Sequence, residues 1–188
     1  EAYYSYSNGL LIDPYQVVTI MDTAKYLFSL YEPIYPNKRN RYAGSIRANY
    51  LVGENSALKV GYRFYIDDWN IKSHTIDIGF QQMFFDEKMI VGGNLRSYFQ
   101  TKAFFFKPRY YAVDEYMSVD SKLNAQRSNN FELNLDVNGS LIPLINNENI
   151  TLKSTLTFYY RKTNSPDWHS RLEKLYAWIF NFGVKYNF

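Results

Sequence analysis

Two short stretches carry side chains whose types and spacing can do chemistry. Asp67-Asp68-Trp69, followed by Ser73-His74, places two adjacent carboxylates close to a hydroxyl and an imidazole. Carboxylates in a loop can take Ca²⁺ through oxygen, but that ion wants about 6–8 oxygen ligands, and this loop offers few. The same carboxylates can equally cap a turn, or pair with Lys72 or an inward-facing arginine. His169-Ser170 with Glu173 holds the residue types of a Ser–His–acid set, as in a lipid-acting hydrolase. Neighbouring His and Ser on one loop seldom reach each other correctly, and no oxyanion-forming motif accompanies them. Two distant histidines make a poor metal pair. The expectation is a protein that is not an enzyme, with no cofactor beyond, at most, a loop calcium ion.

What must position these residues is a series of strands. Apolar and polar residues alternate through most of the chain, as they do when successive side chains point to opposite faces. The clearest case sets Phe131, Leu133, Leu135 and Val137 against Glu132, Asn134, Asp136 and Asn138. Similar alternation over residues 41–52, 58–67, 75–84, 91–100, 131–141, 150–161 and 175–188, with a weaker stretch at 2–10, predicts eight strands. The connections at 53–56 and 86–88 are tight turns and that at 142–149 is somewhat longer; the others, at 11–40, 67–74, 102–129 and 162–174, are mostly longer. Within the first long one, Val17–Ile20 and Tyr26–Tyr31 can pair as a separate hairpin.

Bulk properties bound the class. The 188 residues suit one domain, here residues 1–188. A formal charge of +3 is too small to argue for nucleic acid. The chain has no cysteine, so disulfides and thiol chemistry are excluded. No apolar run approaches the roughly 18 residues of a membrane helix. The mean hydropathy of −0.40 does not exclude a membrane barrel, in which only every second residue is apolar. Glu1-Ala2-Tyr3-Tyr4 already reads as strand, so the chain is expected to be a processed product or a fragment.

Alternation alone does not choose between water and lipid for the apolar side, since soluble ligand-binding barrels alternate too. The polar parity mixes Arg47, Lys59, Arg63, Arg96, Lys153 and Arg161 with Asp77, Glu132 and Asp136. Opposite charges interleaved with amides can satisfy one another in an enclosed interior. Aromatic residues stand near strand ends, where amphipathic rings meet lipid headgroups. The last strand carries Trp178, Phe180, Phe182, Tyr186 and the terminal Phe188 on one parity. The expected fold is an all-β, antiparallel, up-and-down transmembrane β-barrel of eight strands, the mixed-charge side turned inward as a polar lumen and the last strand facing lipid.

Tyr62-Arg63-Phe64-Tyr65-Ile66-Asp67-Asp68-Trp69-Asn70-Ile71-Lys72-Ser73-His74-Thr75 resembles a motif of a bacterial family known as domain of unknown function 3570. Asp13-Pro14-Tyr15-Gln16-Val17-Val18 is similar to an earlier loop of that family, and Pro108-Arg109-Tyr110-Tyr111 is a weaker echo. The resemblance runs from about residue 8 to the end. It implies a Gram-negative outer-membrane barrel with further strands upstream, so that this chain is the carboxy-terminal part of a wider one. It implies no activity and no catalytic residue. The functional expectation is an integral outer-membrane anchor or interaction platform with aromatic-rich external loops. Its partners are the bilayer, lipopolysaccharide and a protein reached through the long loops. The alternatives are a channel or transporter component of a wider barrel and, behind it, a lipid-acting enzyme.

Overall fold

A computed structural model describes residues 1–13, 15–22, 27–163 and 173–188. Among the described residues ten strands run in chain order: β1 Ala2–Asn8, β2 Val18–Asp22, β3 Leu27–Tyr31, β4 Lys38–Leu51, β5 Ser56–Asp67, β6 Lys72–Phe84, β7 Met89–Gln100, β8 Gln126–Asn138, β9 Ile150–Thr163 and β10 Lys174–Tyr186. Eight form one sheet in the order β1-β4-β5-β6-β7-β8-β9-β10, and β2 pairs with β3 alone. Every pairing is antiparallel between neighbours. The fold is therefore all-β and up-and-down, with the eight strands and the separate hairpin that the alternation predicts.

The expected ring is not closed. β1 pairs with β4 and β10 with β9, but the two do not pair with each other. Closure needs edges that match in length, tilt and register. β1 has 7 residues, covers only the Lys38–Gly44 part of β4, and faces a 13-residue β10. What stands is an open sheet with two free edges.

Register joins the separate alternations into two continuous faces. One row reads Val60, Ile78, Leu95, Phe131, Phe158, Trp178 across β5 to β10. The next reads Leu58, Phe80, Gly93, Leu133, Leu156, Phe180. Most of these side chains are exposed and none is buried: Leu95 and Leu133 are each 46% accessible even in the middle of the sheet, and Trp178 is 70%. The opposite face carries the polar residues. All the buried residues of the eight strands, among those described, belong to it: Gly61, Asp67, Ser73, Thr75, Gly79, Thr157 and Thr163. This inverts the usual half-solvated sheet, which buries its apolar face.

The hydrophobic core lies elsewhere. Trp69, Ile71, Ala103, Phe105, Phe106 and Leu123 form one buried cluster, with Leu11 and Tyr35 packed against it; Val18, Tyr110 and Met117 form a second. Both are built from connections, and they assemble a cap at the long-loop end of the sheet. The β2–β3 hairpin joins it where Met21 N–H donates to the Tyr110 carbonyl at 2.9 Å and Ile34 exchanges backbone hydrogen bonds with Met117.

The link at 67–74 is tighter than its composition predicts. β5 runs to Asp67 and β6 starts at Lys72, leaving four residues between them. Asn70, at φ 65°, makes the left-handed step, and the Asp67 carboxylate accepts from Ile71 N–H at 2.9 Å. Asx side chains tolerate and brace such turns.

Candidate functional site: a capped basin on the polar face

A cavity of about 500 Å³ opens where the cap overhangs the polar face. Its strand wall includes Arg39, Arg41, Arg63, Tyr65, Thr75 and Tyr98; its cap wall includes Tyr35, Trp69, Asp120 and Lys122. The wall is rigid because one buried carboxylate ties strand to turn. Asp67 Oδ2 accepts from Arg39 Nε at 2.9 Å, Arg39 Nη2 at 2.6 Å and the Tyr65 hydroxyl at 2.7 Å. The guanidinium of Arg39 also lies 4.0 Å from the Trp69 ring, whose indole N–H donates to the Lys38 carbonyl at 3.2 Å. Trp69 in turn meets Phe105 edge-on at 5.2 Å and Tyr35 at 5.6 Å. Packing and charge thus meet at a single side chain.

Arg39 neutralises Asp67, while Arg41 touches only the Ser7 hydroxyl at 3.3 Å and Arg63 has no polar partner among the described residues. The basin therefore offers two guanidinium groups and Lys122 beside a ring-lined wall. That combination suits a small anion or the polar part of a larger molecule. On the cap side, burial pushes the Tyr35 hydroxyl up to about 12, while its 2.9 Å hydrogen bond with Ser118 works against that rise.

The cluster named from sequence is divided by the sheet. Asp67 and Ser73 are on the polar face and Trp69 is in the cap core, but His74 points the other way. Its Nδ1 lies 2.7 Å from the Tyr62 hydroxyl, and its ring packs 5.1 Å from Phe64 on the apolar face. Ser73 and His74, adjacent in a strand, cannot act as a pair. Asp68 is engaged by Asn40, through its backbone N–H at 2.6 Å and its side-chain amide at 2.7 Å. Of the alternatives open for the carboxylates, Asp67 takes the arginine and the turn. No group of three or more His, Cys, Asp or Glu converges among the described residues. His169 and Ser170 lie outside the described residues.

The nine charged residues assigned to a polar interior, Arg47, Lys59, Arg63, Asp77, Arg96, Glu132, Asp136, Lys153 and Arg161, share one face by register. Several are paired across strands. Lys153 donates to Asp136 at 2.5 Å, and Arg96 approaches Asp77 at 3.4 Å. Lys59 donates to Gln81 on the next strand at 3.2 Å, and Glu132 accepts from Asn134 on its own strand at 3.0 Å. Arg161 keeps a buried Nε without a partner among the described residues. Around Gly79 and Gly92 the face sinks into a second depression of about 450 Å³. In the last strand, Trp178, Phe180, Phe182 and Tyr186 stand exposed on the apolar face, and Phe188 beyond the strand packs its ring 5.1 Å from Tyr186.

Sequence reasoning missed Arg39, Tyr35 and Ser118. Arg39 falls inside what the sequence presents as a long loop, because β4 starts at Lys38 on a run, Lys38-Arg39-Asn40-Arg41, that is polar on both parities. The surviving signal was that Arg39 and Arg41 keep the parity of Ser45 and Arg47.

Fold and site together define a class: an open, all-antiparallel sheet with a bare apolar face and a loop-built cap over its polar face. The chain belongs to the family described as Protein of unknown function (DUF3570), whose model matches residues 1–175. The match begins ahead of the stretch that carries the resemblance and stops inside β10, short of the aromatic end. No curated protein and no solved structure matches the chain.

Proposed function

We propose that this chain forms the wall of an outer-membrane β-barrel, its apolar face against lipid and its polar face lining the interior. It serves as a non-enzymatic anchor whose folded cap presents an interaction surface outside. The observation that carries this reading is the inverted burial. The connections build their core at the polar face and leave the apolar face bare across all eight strands. Water would penalise so large a continuous apolar surface, whereas hydrocarbon accepts it. The dimensions agree. From Tyr176 to Tyr186 is ten residue steps along β10; at about 3.4 Å each, tilted about 40°, they rise about 26 Å, close to the apolar band of such barrels.

The free edges of β1 and β10 favour a second reading of the interior. A barrel closed by these eight strands alone would be filled by side chains. A sheet continued by further strands would be wider, and its Lys59, Glu132 and Lys153 would then face water, as in a channel or transporter component.

Spin labels placed one at a time along Leu133–Val137 in reconstituted protein test the lipid assignment. Accessibility to oxygen is expected to peak at 133, 135 and 137, and accessibility to a polar nickel reagent at 134 and 136. Equal polar accessibility at both parities would overturn the reading. Single-channel conductance in planar bilayers separates the wide, open interior from the filled one.

A further inference from the structure

The apolar face changes character in one step at its long-loop end. The row above the hydrocarbon rows reads Tyr62, Ile76, Ser97, Asn129, Tyr160, Tyr176: three phenol rings, a hydroxyl and an amide, with one aliphatic side chain at Ile76. The row above that reads Phe64, His74, Phe99, Arg127, Lys162, Lys174. Every Lys and Arg on this face of the eight strands is in that row or beyond it, Lys38 and Lys72 being the others, and no Asp or Glu shares the face. Arg127, Lys162 and Lys174 are on three successive strands, so at about 4.8 Å per strand their stems start within about 10 Å of one another. None has a carboxylate partner among the described residues. Arg127 is held in place by stacking 4.7 Å over Phe99. A depression of about 550 Å³ opens here, lined by Lys72, His74, Phe99, Arg127, Tyr160 and Lys162.

Three like charges on adjacent strands repel one another and weaken the sheet. On a face otherwise free of charge, that cost marks a place where an anion completes the structure. Directly beneath it the same strands offer hydroxyls, then hydrocarbon. The order of cation, hydroxyl and apolar side chain matches, level by level, a phosphate, a sugar or glycerol ester, and acyl chains.

We infer that this rim is a binding site for the anionic, phosphorylated headgroup of a membrane lipid, with Arg127, Lys162 and Lys174 on the phosphate and Tyr160 and Tyr176 on the polar group below it. The inference deepens the membrane reading and rests on it. A free phosphate would satisfy the cations but leave the hydroxyl and apolar rows uncovered, so the occupant is the lipid. Diphosphorylated lipid A is its natural probe.

Flotation of the full chain with vesicles tests both readings separately. Phosphatidylcholine, whose choline neutralises its phosphate, offers the rim no net anion and reports membrane association, and phosphatidylcholine doped with diphosphorylated lipid A reports the rim. Wild-type protein is expected to float with both and to bind the doped vesicles more tightly. Arg127→Gln/Lys162→Gln is expected to lose about thirtyfold of the affinity for doped vesicles, at roughly fivefold per cation, and to keep its binding to plain ones. Lys59→Gln/Lys153→Gln, on the opposite face, should match wild type throughout. Equal binding of the rim variant and wild type to doped vesicles would overturn the site while leaving the membrane reading intact. Competition by inorganic phosphate as strong as by lipid A would overturn the lipid as occupant. Failure of wild type to float with plain vesicles would strike the membrane reading instead.

Discussion

Arg39 places two guanidinium nitrogens on one oxygen of Asp67, at 2.9 and 2.6 Å, with the Asp67 side chain fully buried. The pair joins β4 to the β5–β6 turn and lies under Trp69, so strand, turn and cap core share it. Removing one member of a buried pair costs about 3–5 kcal/mol, because the other charge stays desolvated. Asp67→Asn is therefore expected to loosen the turn and the cap together. Hydrogen exchange at Ile71 and Phe104, whose N–H groups bond to Asp67 and to the Trp69 carbonyl, should accelerate about a hundredfold or more. Unchanged protection at both amides would show that the pair does not hold the cap.

Tyr110 plays the matching part in the second cluster. Its hydroxyl donates to the Phe105 carbonyl at 2.6 Å and accepts from Ser118 N–H at 2.8 Å, and the residue is 1% exposed. Tyr110→Phe keeps the ring and leaves both backbone groups unpaired in a buried place, at about 1–3 kcal/mol. Faster exchange at Ser118 with unchanged exchange in β8 is the expected pattern. A uniform change across the sheet would mean that cap and sheet unfold as one unit.

The strands were legible because their apolar parity is continuous, and it fails where the rim begins. β8 starts at Gln126, yet alternation shows only from Phe131, since Arg127 and Asn129 occupy the apolar parity at the cation and hydroxyl levels. The same loss hides the first turn of β4. At its far end β8 stops at Asn138, and Gly139–Leu141 turns as a 3₁₀ segment, although Gly139 and Leu141 continue the apolar parity. The cap could not be read in detail, because its contacts join residues 11, 35, 69, 105 and 123, which no local period connects. Closure of the ring was likewise not written in any one strand, since it depends on how two edges far apart in sequence fit.

Glycines on the sheet and its turns should separate cleanly on substitution. A Cβ on Gly139 would come 2.5 Å from the Asn147 carbonyl oxygen and 2.9 Å from an Ile145 methyl. Gly139→Ala is thus expected to cost about 1–3 kcal/mol through overpacking of the β8–β9 link. Gly183, in β10, meets nothing within 4 Å. Gly183→Ala should be neutral or stabilise by about 0.5–1 kcal/mol through reduced backbone freedom. Urea unfolding in detergent, compared by midpoint, checks both, and equal midpoints for the two variants would contradict the packing described for the turn.

Alkali should release the cap at a defined point. Burial raises the Tyr35 hydroxyl from 10.0 to about 12, so the folded cap holds that proton more tightly than the unfolded chain does. Its contribution to stability is complete below pH 10, declines as pH rises from 10 to about 12, and is gone above that. Tyr110 is raised by burial as well and titrates in the same direction, so the Tyr35 share is the difference between wild type and Tyr35→Phe. In a Trp168→Phe/Trp178→Phe background, Trp69 fluorescence reports the cap core alone. Wild type is expected to lose its buried emission progressively across that interval. Tyr35→Phe should begin slightly less stable at pH 8, for want of the Ser118 bond, and then fall less steeply. Parallel curves for the two proteins would place the alkaline transition elsewhere than at Tyr35.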